Sequence, residues 1–552
     1  MRLTKFSQII LGVALGLCAS CSSEETKPES EFEITDPPVS LWGRWDKTFV
    51  ALGEADSGTE FFVHFRSPSG KTYQLPGFWD GEKNFRARIM PSEEGVWAYQ
   101  TYTSRPVDGL TKLRGAFECR KPDGVPTNAL SAHGAIRAAR NGRHFEHADG
   151  TPFFWLSDTA WNGALLSSEA DWQTYLDDRA AKGFSAVQFV TTQWRAGPAN
   201  AEGLTAYSGR DPIEINTGFF KRIDARLDAL NAKGLAGAPV LLWALGDEAG
   251  NPGFLPEAEA VKLARYMVAR YSAYHVVWLI GGDADYAGEN APRWKRIGRA
   301  LFRSVEHAPT FLHPRGMRWP WDEYENEEWL SALGYQSGHG DDAKTLAWIH
   351  SGPPSTEWQK GPAKPVVNLE PPYEDHVGYQ SKERHTAYNV RRASYWSLLV
   401  SPLAGVSYGA HGVWSWETEP RVPLNHERTG VAKPWSEAIE LPGSAQMKHL
   451  RALFDSLPWW QLRPAQDLLA SQPGVADPAK FVTAARSEEG NAAVVYLPVG
   501  GEISLNSQRA AGLAKAEWFD PRTGARQSAQ ASGANRYRAP SGEDWVLVLS
   551  KN

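Results

Sequence analysis

The 552-residue sequence has little cysteine, with three residues in all. Cys18 and Cys21 lie near the N-terminus, so the rest of the chain holds only Cys119 and cannot form an internal disulfide. Neither sign of charge dominates, because the chain has 58 basic and 64 acidic residues and a net charge of -6. Without a basic stripe the sequence predicts no nucleic-acid partner, and the mean hydropathy of -0.43 predicts a soluble body.

Aromatic residues are abundant, with 24 Trp, 18 Tyr and 22 Phe. Flat rings can bind the C–H faces of sugars, but they also fill the cores of β-domains, and we assign more than half of them to cores. The residues that follow the predicted strands include no nucleophile elbow, dinucleotide fingerprint or HExxH metal pair. The sequence therefore implies no cofactor and no metal.

The N-terminus is typical of a targeting segment rather than of folded structure. Arg2 and Lys5 precede an apolar run, and residues 18–21 resemble a bacterial lipoprotein signal in which Cys21 becomes lipidated. Soluble periplasmic secretion is the alternative. Residues 22–38 are predicted to be a flexible tether. The expected location is the cell envelope, either anchored to the outer membrane or periplasmic, with membrane contact only through the lipid.

Two β-rich stretches flank a central region with a different pattern. Residues 39–122 predict an N-terminal β-sandwich, in which Phe85, Ala87 and Ile89 alternate with Arg86 and Arg88 to give one buried and one wet face. Residues 459–552 predict a C-terminal β-sandwich. No acidic pair or metal cluster stands out in either, so both are predicted to be accessory domains.

Between residues 129 and 458, short apolar strands alternate with helices, which favours a parallel sheet. Eight strand–helix units predict a (β/α)8 TIM barrel, with a doubly wound open sheet as the alternative. Ser168 is predicted to cap the first long helix. The predicted strands are Pro152–Leu156, Phe184–Val190, Pro239–Trp243, His275–Ile280, Thr310–His313, Leu333–Gln336, Pro365–Leu369 and Gly405–Tyr408.

Active groups of a barrel collect at the C-terminal ends of its strands. Two strands, the fourth and the seventh, end in a carboxylate, Asp283 and Glu370. Glycosidic bond cleavage needs two carboxyl groups that flank the anomeric carbon, and these two could flank a bound sugar. A substrate-binding rim is predicted from the other residues near the strand ends, namely Asp158, Trp161, Gln193, Trp194, Trp243, Glu248, His313, Gln336, His339, Tyr373, His411, Trp414 and Trp416.

Each of these residues has a structural alternative. A Gly-Gly-Asp turn often serves as a helix cap, which is the competing interpretation of Asp283. Glu370 lies between Leu369 and two prolines and is harder to explain as scaffold, although placed acids also form ion pairs. The pair Asp247 and Glu248 is a weaker rival. The histidines could bind metal, but their spacing favours hydrogen bonds to sugar hydroxyls, and the tryptophans are equally plausible as core.

Four stretches together resemble the apiosidase-like glycoside hydrolase barrels. They are DGTPFFWLSDTAWNGALLSSEADWQTYLDDRAAKGFSAVQ (149–188), VVWLIGGD (276–283), LEPPYED (369–375) and VSYGAHGVWSW (406–416). The resemblance implies that Asp283 is the general acid/base and Glu370 the nucleophile. The flanking units resemble a β-sandwich often found before such barrels and a β-domain labelled "putative collagen-binding" that follows them.

Two departures from the wider clan bear on the reaction. Gly282-Asp283 stands where the clan usually has Asn-Glu, and the shorter Asp arm could leave room for a water and so favour inversion. Leu369 stands where a small residue is expected before the acid. We predict a glycoside hydrolase, preferably retaining, that acts on a plant or algal polysaccharide or its oligosaccharides. The alternative is an inactive surface glycan-binding protein, and a collagen adhesin is a third and poorer interpretation.

Overall fold

The structure is a computed structural model that describes residues 33–122, 124–246, 251–302, 307–533 and 535–551. The predicted signal segment with Cys21, most of the predicted tether, and Glu248 lie outside the described residues. Among the helices that are described, none is both long and apolar enough to cross a bilayer.

Eight parallel strands form a nearly closed barrel at the centre of the molecule, consistent with the (β/α)8 fold. Their sheet order is β5-β4-β3-β2-β1-β8-β7-β6, and nearly all of their residues are buried because helices cover the outer face. All eight predicted strands are present; Leu333–Gln336 keeps its predicted bounds and the other seven shift, so that His275–Ile280 becomes Trp278–Ala284. In chain order, β1 to β8 are Trp155–Thr159, Ala186–Val190, Ala236–Trp243, Trp278–Ala284, Thr310–Pro314, Leu333–Gln336, Val366–Glu370 and Gly405–Gly409.

The barrel has a seam between β5 and β6, the two strands at the ends of the sheet order. In this part of the chain, which is fully described, no ladder of backbone hydrogen bonds joins the two strands. Instead one bond lies at each end, from Ala332 N to Thr310 O (3.2 Å) and from Met317 N to Gln336 O (2.8 Å).

Seven helices of nine residues or more pack around the strands in the described chain. Ser168 caps α1 as predicted and accepts a hydrogen bond from Asp171 N. Residues 315–332, between β5 and β6, carry only the short 3-10 turn Trp321–Tyr324, because proline and glycine interrupt this segment. The helices α1 to α7 are Glu169–Ala181, Thr217–Ala232, Glu257–Tyr271, Ala291–Phe302, Ala343–Ser351, Ala387–Leu399 and Pro442–Asp455.

Shorter elements complete the barrel region. Pro152–Phe153, which the sequence assigns to the first barrel strand, belongs instead to a small antiparallel sheet with Phe145–His147 and Ile136–Ala138. A two-stranded ribbon pairs Tyr207–Gly209 with Ile213–Ile215. Short helices span Ala129–His133, Gly163–Leu166, Pro353–Thr356 and Trp435–Ala438.

The N-terminal β-rich region packs two sheets around one core. Phe85, Ala87 and Ile89 are buried there as predicted, but Arg88 is only 2% exposed. The face of this strand that was predicted to be solvated lies against the barrel at Arg88, which donates to the Asp224 carboxylate of α2 (2.9 Å). In sheet order the strands are Val39–Ser40, Arg114–Arg120, Gly95–Thr103, Phe61–Arg66 and Thr72–Pro76, then Trp45–Val50, Asn84–Ile89 and Phe78–Trp79.

The C-terminal β-rich region also has two sheets and its own core. A buried ion pair joins it to the barrel, since Arg391 of α6 donates two hydrogen bonds to the Asp544 carboxylate (2.7 and 3.0 Å). In sheet order the strands are Leu462–Pro464, Thr483–Ser487, Ala492–Leu497, Trp545–Ser550, Lys515–Phe519 and Arg526–Ser528, then Glu502–Ser504, Arg536–Arg538 and Ala531–Gly533.

Candidate active site

Glu370 is the last residue of β7 and lies among the ends of neighbouring strands. Pro371 and Pro372 cannot continue the ladder, so the strand stops at the acid. The side chain is 6% exposed. Its Oε1 accepts hydrogen bonds from Gln336 Nε2 (2.6 Å) and His339 Nε2 (3.0 Å), while His313 Nε2 lies 3.4 Å from Oε2. Three residues predicted to contact substrate therefore contact Glu370 itself.

The tautomer of His339 follows from its two ring partners. The backbone N–H of Tyr373 points at Nδ1 (3.3 Å), so Nδ1 is the acceptor and Nε2 carries the proton that Glu370 receives as a hydrogen bond. Burial raises the pKa of Glu370, but the close approach of His313 and the hydrogen bond from His339 outweigh it and hold the pKa well below its ordinary value. Glu370 is therefore a carboxylate at neutral pH.

Asp283 lies near the end of β4 in an unusual backbone conformation. The β4–β5 register shifts on both sides of Gly282, and Asp283 itself has a left-handed φ of 49°. Such bulges re-aim a side chain out of the strand's regular alternation. The two preceding glycines allow tight packing, because a Cβ on Gly282 would lie 2.5 Å from the Trp243 ring and one on Gly281 would lie 2.5 Å from the Tyr286 hydroxyl.

The Asp283 carboxyl group has the opposite electrostatic character to Glu370. Burial and the nearby charge of Glu370 raise its pKa to about 6, which His313 and Arg315 only partly offset. Within the described ranges, no group donates a hydrogen bond to this carboxyl, so it is not acting as a helix cap. The charge of Glu370 acts on Asp283, and His313 links the two acids, since it pairs with Gly282 between β4 and β5 and lies 3.4 Å from Glu370 Oε2. The two acids therefore belong to one site.

Aromatic side chains line the strand ends around these acids. The Trp161 indole N–H donates to the Tyr373 hydroxyl (3.1 Å), and the Trp161 ring packs edge-on against His313 (5.5 Å between centroids). Trp243 lies between Trp161 (5.6 Å) and Trp194 (4.3 Å). All of these rings are almost fully buried, so in this conformation they form the wall beneath the site and leave no open stacking face.

Several residues predicted for the rim lie elsewhere. Asp158 is 0% exposed and accepts hydrogen bonds from Tyr175 (2.7 Å) and Arg179 (2.6 Å) of α1, so it ties strand to helix inside the barrel wall. The Gln193 side-chain amide donates a hydrogen bond to Tyr207 O and accepts one from Ala206 N. These contacts correct the prediction that Asp158 and Gln193 present their side chains to substrate.

The strand-eight residues are likewise engaged with protein groups. His411 accepts a hydrogen bond from the Trp414 indole at Nδ1 (3.1 Å) and donates from Nε2 to Gly430 O (3.0 Å). Trp416 stacks on Trp435 (4.7 Å, 10°) behind the barrel strand. Neither His411 nor Trp416 offers substrate a group, which corrects that part of the prediction, and Trp414 packs under His426.

Two residues beside Glu370 carry no sequence motif. His376 stacks on His339 (4.0 Å, 19°), and Tyr379 packs edge-on against the same ring (5.7 Å). Both come from the loop after β7, and only the three-dimensional contacts reveal them. Among the described residues, no group of three or more His, Cys, Asp and Glu side chains could hold a metal ion.

Family comparison now adds to this geometry. The family model described as "Apiosidase-like, catalytic domain" matches residues 139–461, more than half of the chain. The chain belongs to the apiosidase-like family. In this apiosidase-like protein, residues 463–550 match "Putative collagen-binding domain of a collagenase" and residues 39–104 match a domain of unknown function. No curated protein matches the chain.

Solved structures share the fold of the apiosidase-like chain at low sequence identity. A glycoside hydrolase family 5 structure from Bacteroides vulgatus ATCC 8482 is 24% identical, with a TM-score of 0.67 over 77% of this chain and 95% of that one. A structure described as "Glycoside hydrolase" is 22% identical, with a TM-score of 0.68 over 77% and 99%. A "putative glycoside hydrolase" from the same Bacteroides strain is 17% identical, with a TM-score of 0.70 over 94% and 100%. The family and the fold neighbours are thus glycoside hydrolase-like.

Proposed function

We propose that this apiosidase-like protein is a retaining glycoside hydrolase that cleaves a plant or algal polysaccharide or its oligosaccharides. The observation that carries the proposal is the divergence in acidity of two carboxyl groups in one site. Glu370 is held ionised, whereas the pKa of Asp283 is raised to about 6. A pair of acids pushed apart in this way can divide the roles of nucleophile and proton donor.

In the first step, protonated Asp283 donates its proton to the departing glycosidic oxygen. Glu370 attacks the anomeric carbon from the other face, and a covalent glycosyl ester forms as the leaving group departs with the proton. In the second step, the Asp283 carboxylate takes a proton from water, the water oxygen attacks the same carbon, and Glu370 is released. His339, Gln336 and His313 stabilise the Glu370 charge before attack and after release.

A reducing-end assay of purified protein across pectic, hemicellulosic and algal glycans tests the activity. Glu370→Gln should abolish hydrolysis, because an amide cannot serve as the nucleophile, while the matched variant Glu374→Gln should keep it. Glu374 is also buried, but it binds Tyr408 and the backbone of Gly443 and so serves structure. Full activity of Glu370→Gln would refute the proposal.

Proton NMR of the first-formed anomer decides between retention and inversion. Retention is expected, and inversion would mean that Asp283 and Glu370 leave room for an attacking water. If no glycan is cleaved by the wild-type protein, yet glycans bind it and Glu370→Gln equally, the glycan-binding alternative stands instead. For location we propose the cell envelope, with Cys21 as lipid anchor, and labelling with a radioactive fatty acid in wild type and Cys21→Ser tests it.

A further inference from the structure

Tyr379 is an exposed aromatic residue at the mouth of the candidate active site. Its residue surface is 44% accessible, whereas the tryptophans beneath the site are almost fully buried. The ring packs edge-on against His339 (5.7 Å, 87°) and His376 (5.8 Å, 72°). Because His339 binds Glu370, Tyr379 is separated from the proposed nucleophile by a single side chain.

The backbone around Tyr379 is firmly held. Its N–H donates to His339 O (3.0 Å), and Gly378 N donates to Glu383 O (2.8 Å). The Asp341 carboxylate accepts from the backbone N–H groups of Gln380 and Ser381 (3.1 Å each). The exposure of the ring is therefore a fixed feature of the loop after β7 and does not arise from fraying.

The loop after β8 is hydrogen-bonded to the loop that carries Tyr379. It folds back on itself through paired backbone bonds between Arg421 and Ala432, and Thr429 O accepts from Val377 N (3.3 Å). Its apolar side chains are unusually open, with Val422 40%, Leu424 51% and Val431 47% exposed. Exposed apolar patches mark surfaces that bind proteins, membranes or ligands, and beside a candidate active site a ligand is the occupant that we favour.

The hydroxyl end of Tyr379 lies within electrostatic reach of the reacting groups. Burial of the phenol oxygen raises its pKa, and the charges of Glu370 and Asp283 raise it further. Tyr379 therefore combines an accessible surface with a hydroxyl group that is influenced by both carboxyl groups. An exposed tyrosine can pack its ring on the C–H groups of a ligand and form hydrogen bonds to the ligand's hydroxyl groups.

We infer that Tyr379 is the stacking platform for a sugar ring of the substrate, at the entrance between the loops that follow β7 and β8. This inference rests on the proposed function and deepens it, because it assigns a substrate contact beyond the two acids. Trp161, Trp194 and Trp243 beneath the site are almost fully buried, whereas 44% of Tyr379 is accessible.

Affinity electrophoresis tests the inference without requiring hydrolysis. Glu370→Gln protein is run in gels that contain citrus pectin, arabinoxylan or alginate, beside the double variants that add Tyr379→Phe or Tyr379→Ala. Tyr102→Ala is the matched control, because Tyr102 packs on His64 in the N-terminal region (4.2 Å). We expect the glycan gel to retard Glu370→Gln protein, and we expect this retardation to remain when Tyr379→Phe or Tyr102→Ala is added. It should be lost when Tyr379→Ala is added. Equal mobility of Glu370→Gln and its Tyr379→Ala derivative in every gel overturns the inference.

Kinetics on the cleaved glycan separate this inference from the proposed function. Loss of the platform should raise KM by about tenfold and leave kcat within about twofold, since stacking holds the ground state and the transition state alike. Circular dichroism and the melting temperature of Tyr379→Ala should match wild type. Unchanged KM in an active Tyr379→Ala protein refutes the platform and leaves the hydrolase intact, whereas an inactive wild type refutes the hydrolase while the gels still decide on Tyr379.

Discussion

The ionised Glu370 side chain raises the pKa of Asp283, and the same histidines that hold Glu370 ionised partly oppose that rise. The two acids therefore titrate as a coupled pair, in which Glu370 is ionised while Asp283 still keeps its proton. The arrangement keeps a nucleophile and a proton donor together at mildly acidic pH.

Glu370→Gln should lower the pKa of Asp283 from about 6, because it removes the neighbouring negative charge while keeping the shape of the side chain. Carbon-13 NMR titration of labelled aspartate follows this directly. Glu374→Gln should leave the titration of Asp283 in place. An unchanged Asp283 titration in Glu370→Gln would show that burial alone sets its acidity.

The pH dependence of kcat/KM should have its basic limb near pH 6, where Asp283 loses the proton that it donates. In Asp283→Asn that limb should vanish, and activity should fall by about 10²–10⁴-fold on natural glycans. The loss should be smaller for activated aryl glycosides, whose leaving groups need little protonation. Equal losses on both kinds of substrate would contradict the proton-donor role.

Asp283 should also affect stability, with a sign that follows from its raised pKa. The folded state favours the protonated acid, so the stabilisation is present below the unfolded pKa of about 3.9 and is lost as pH rises through about 6. Asp283→Asn should therefore raise the free energy of unfolding at pH 7.5 by about 1–3 kcal/mol, with a higher melting temperature, and change both little at pH 4. Calorimetry at the two pH values measures the difference.

His339→Phe keeps a flat ring against His376 but removes the N–H that Glu370 accepts. The pKa of Glu370 should rise, so the acidic limb of kcat/KM should move up by about one pH unit, in line with a hydrogen bond to a charged group. His133→Phe is the control, because His133 lies in the short helix Ala129–His133 and binds Asp149 (2.7 Å). An unmoved acidic limb would show that His339 does not set the Glu370 charge.

Gly282→Ala should disturb the site through packing. The added methyl carbon would lie 2.5 Å from the Trp243 ring and 2.8 Å from Val240 Cγ1, closer than real contacts allow. A loss of about 1–3 kcal/mol in stability and a clear loss of activity are expected. Gly316→Ala is the control, because its nearest neighbour would lie at 3.8 Å. Thermal melts and initial rates compare the two variants.

Asp224→Asn should destabilise the contact between the N-terminal region and the barrel. Asp224 accepts from Arg88 (2.9 Å) and Arg270 (2.7 Å), both buried, so neutralising it leaves each cation with one remaining carboxylate, Asp46 for Arg88 and Asp80 for Arg270. Breaking such a network costs about 3–5 kcal/mol. On the same helix, Asp228 bonds Arg44 at an exposed site, and Asp228→Asn should cost less than about 1 kcal/mol. Similar melting temperatures for the two variants would contradict this view.

The network also has a pH signature. Burial raises the pKa of Asp224, but the hydrogen bonds from Arg88 and the charge of Arg270 outweigh it and lower the pKa below its ordinary value. Its stabilisation is therefore present above the unfolded pKa and is lost as pH falls through the folded value. Acid unfolding of wild type should become shallower in Asp224→Asn, as followed by tryptophan fluorescence.

The positions of the barrel strands and of Glu370 could be predicted from sequence, because buried parallel strands read as apolar runs and prolines mark where β7 stops. Contacts between distant segments could not. Asp158 looks like a rim acid until Arg179 is seen against it, and Arg88 fits an alternating wet face until α2 is seen to cover it. Tyr379 carries no pattern of its own.

The fifth strand–helix unit shows a further limit. Spacing alone predicts a helix between β5 and β6, but the prolines and glycine of residues 314–320 favour turns. The prediction of both strands is confirmed, but the helix expected between them is replaced by a 3-10 turn.

The seam between β5 and β6 is the part of the barrel wall that is closed by single hydrogen bonds instead of a strand ladder. His313 lies on β5 and Gln336 on β6, on the two sides of the seam, and both contact the Glu370 carboxylate on β7. A slight widening would pull these two groups apart and leave Glu370 less well held, so its acidity would weaken. The spacing of β5 and β6 would in this way set the acidity of the nucleophile.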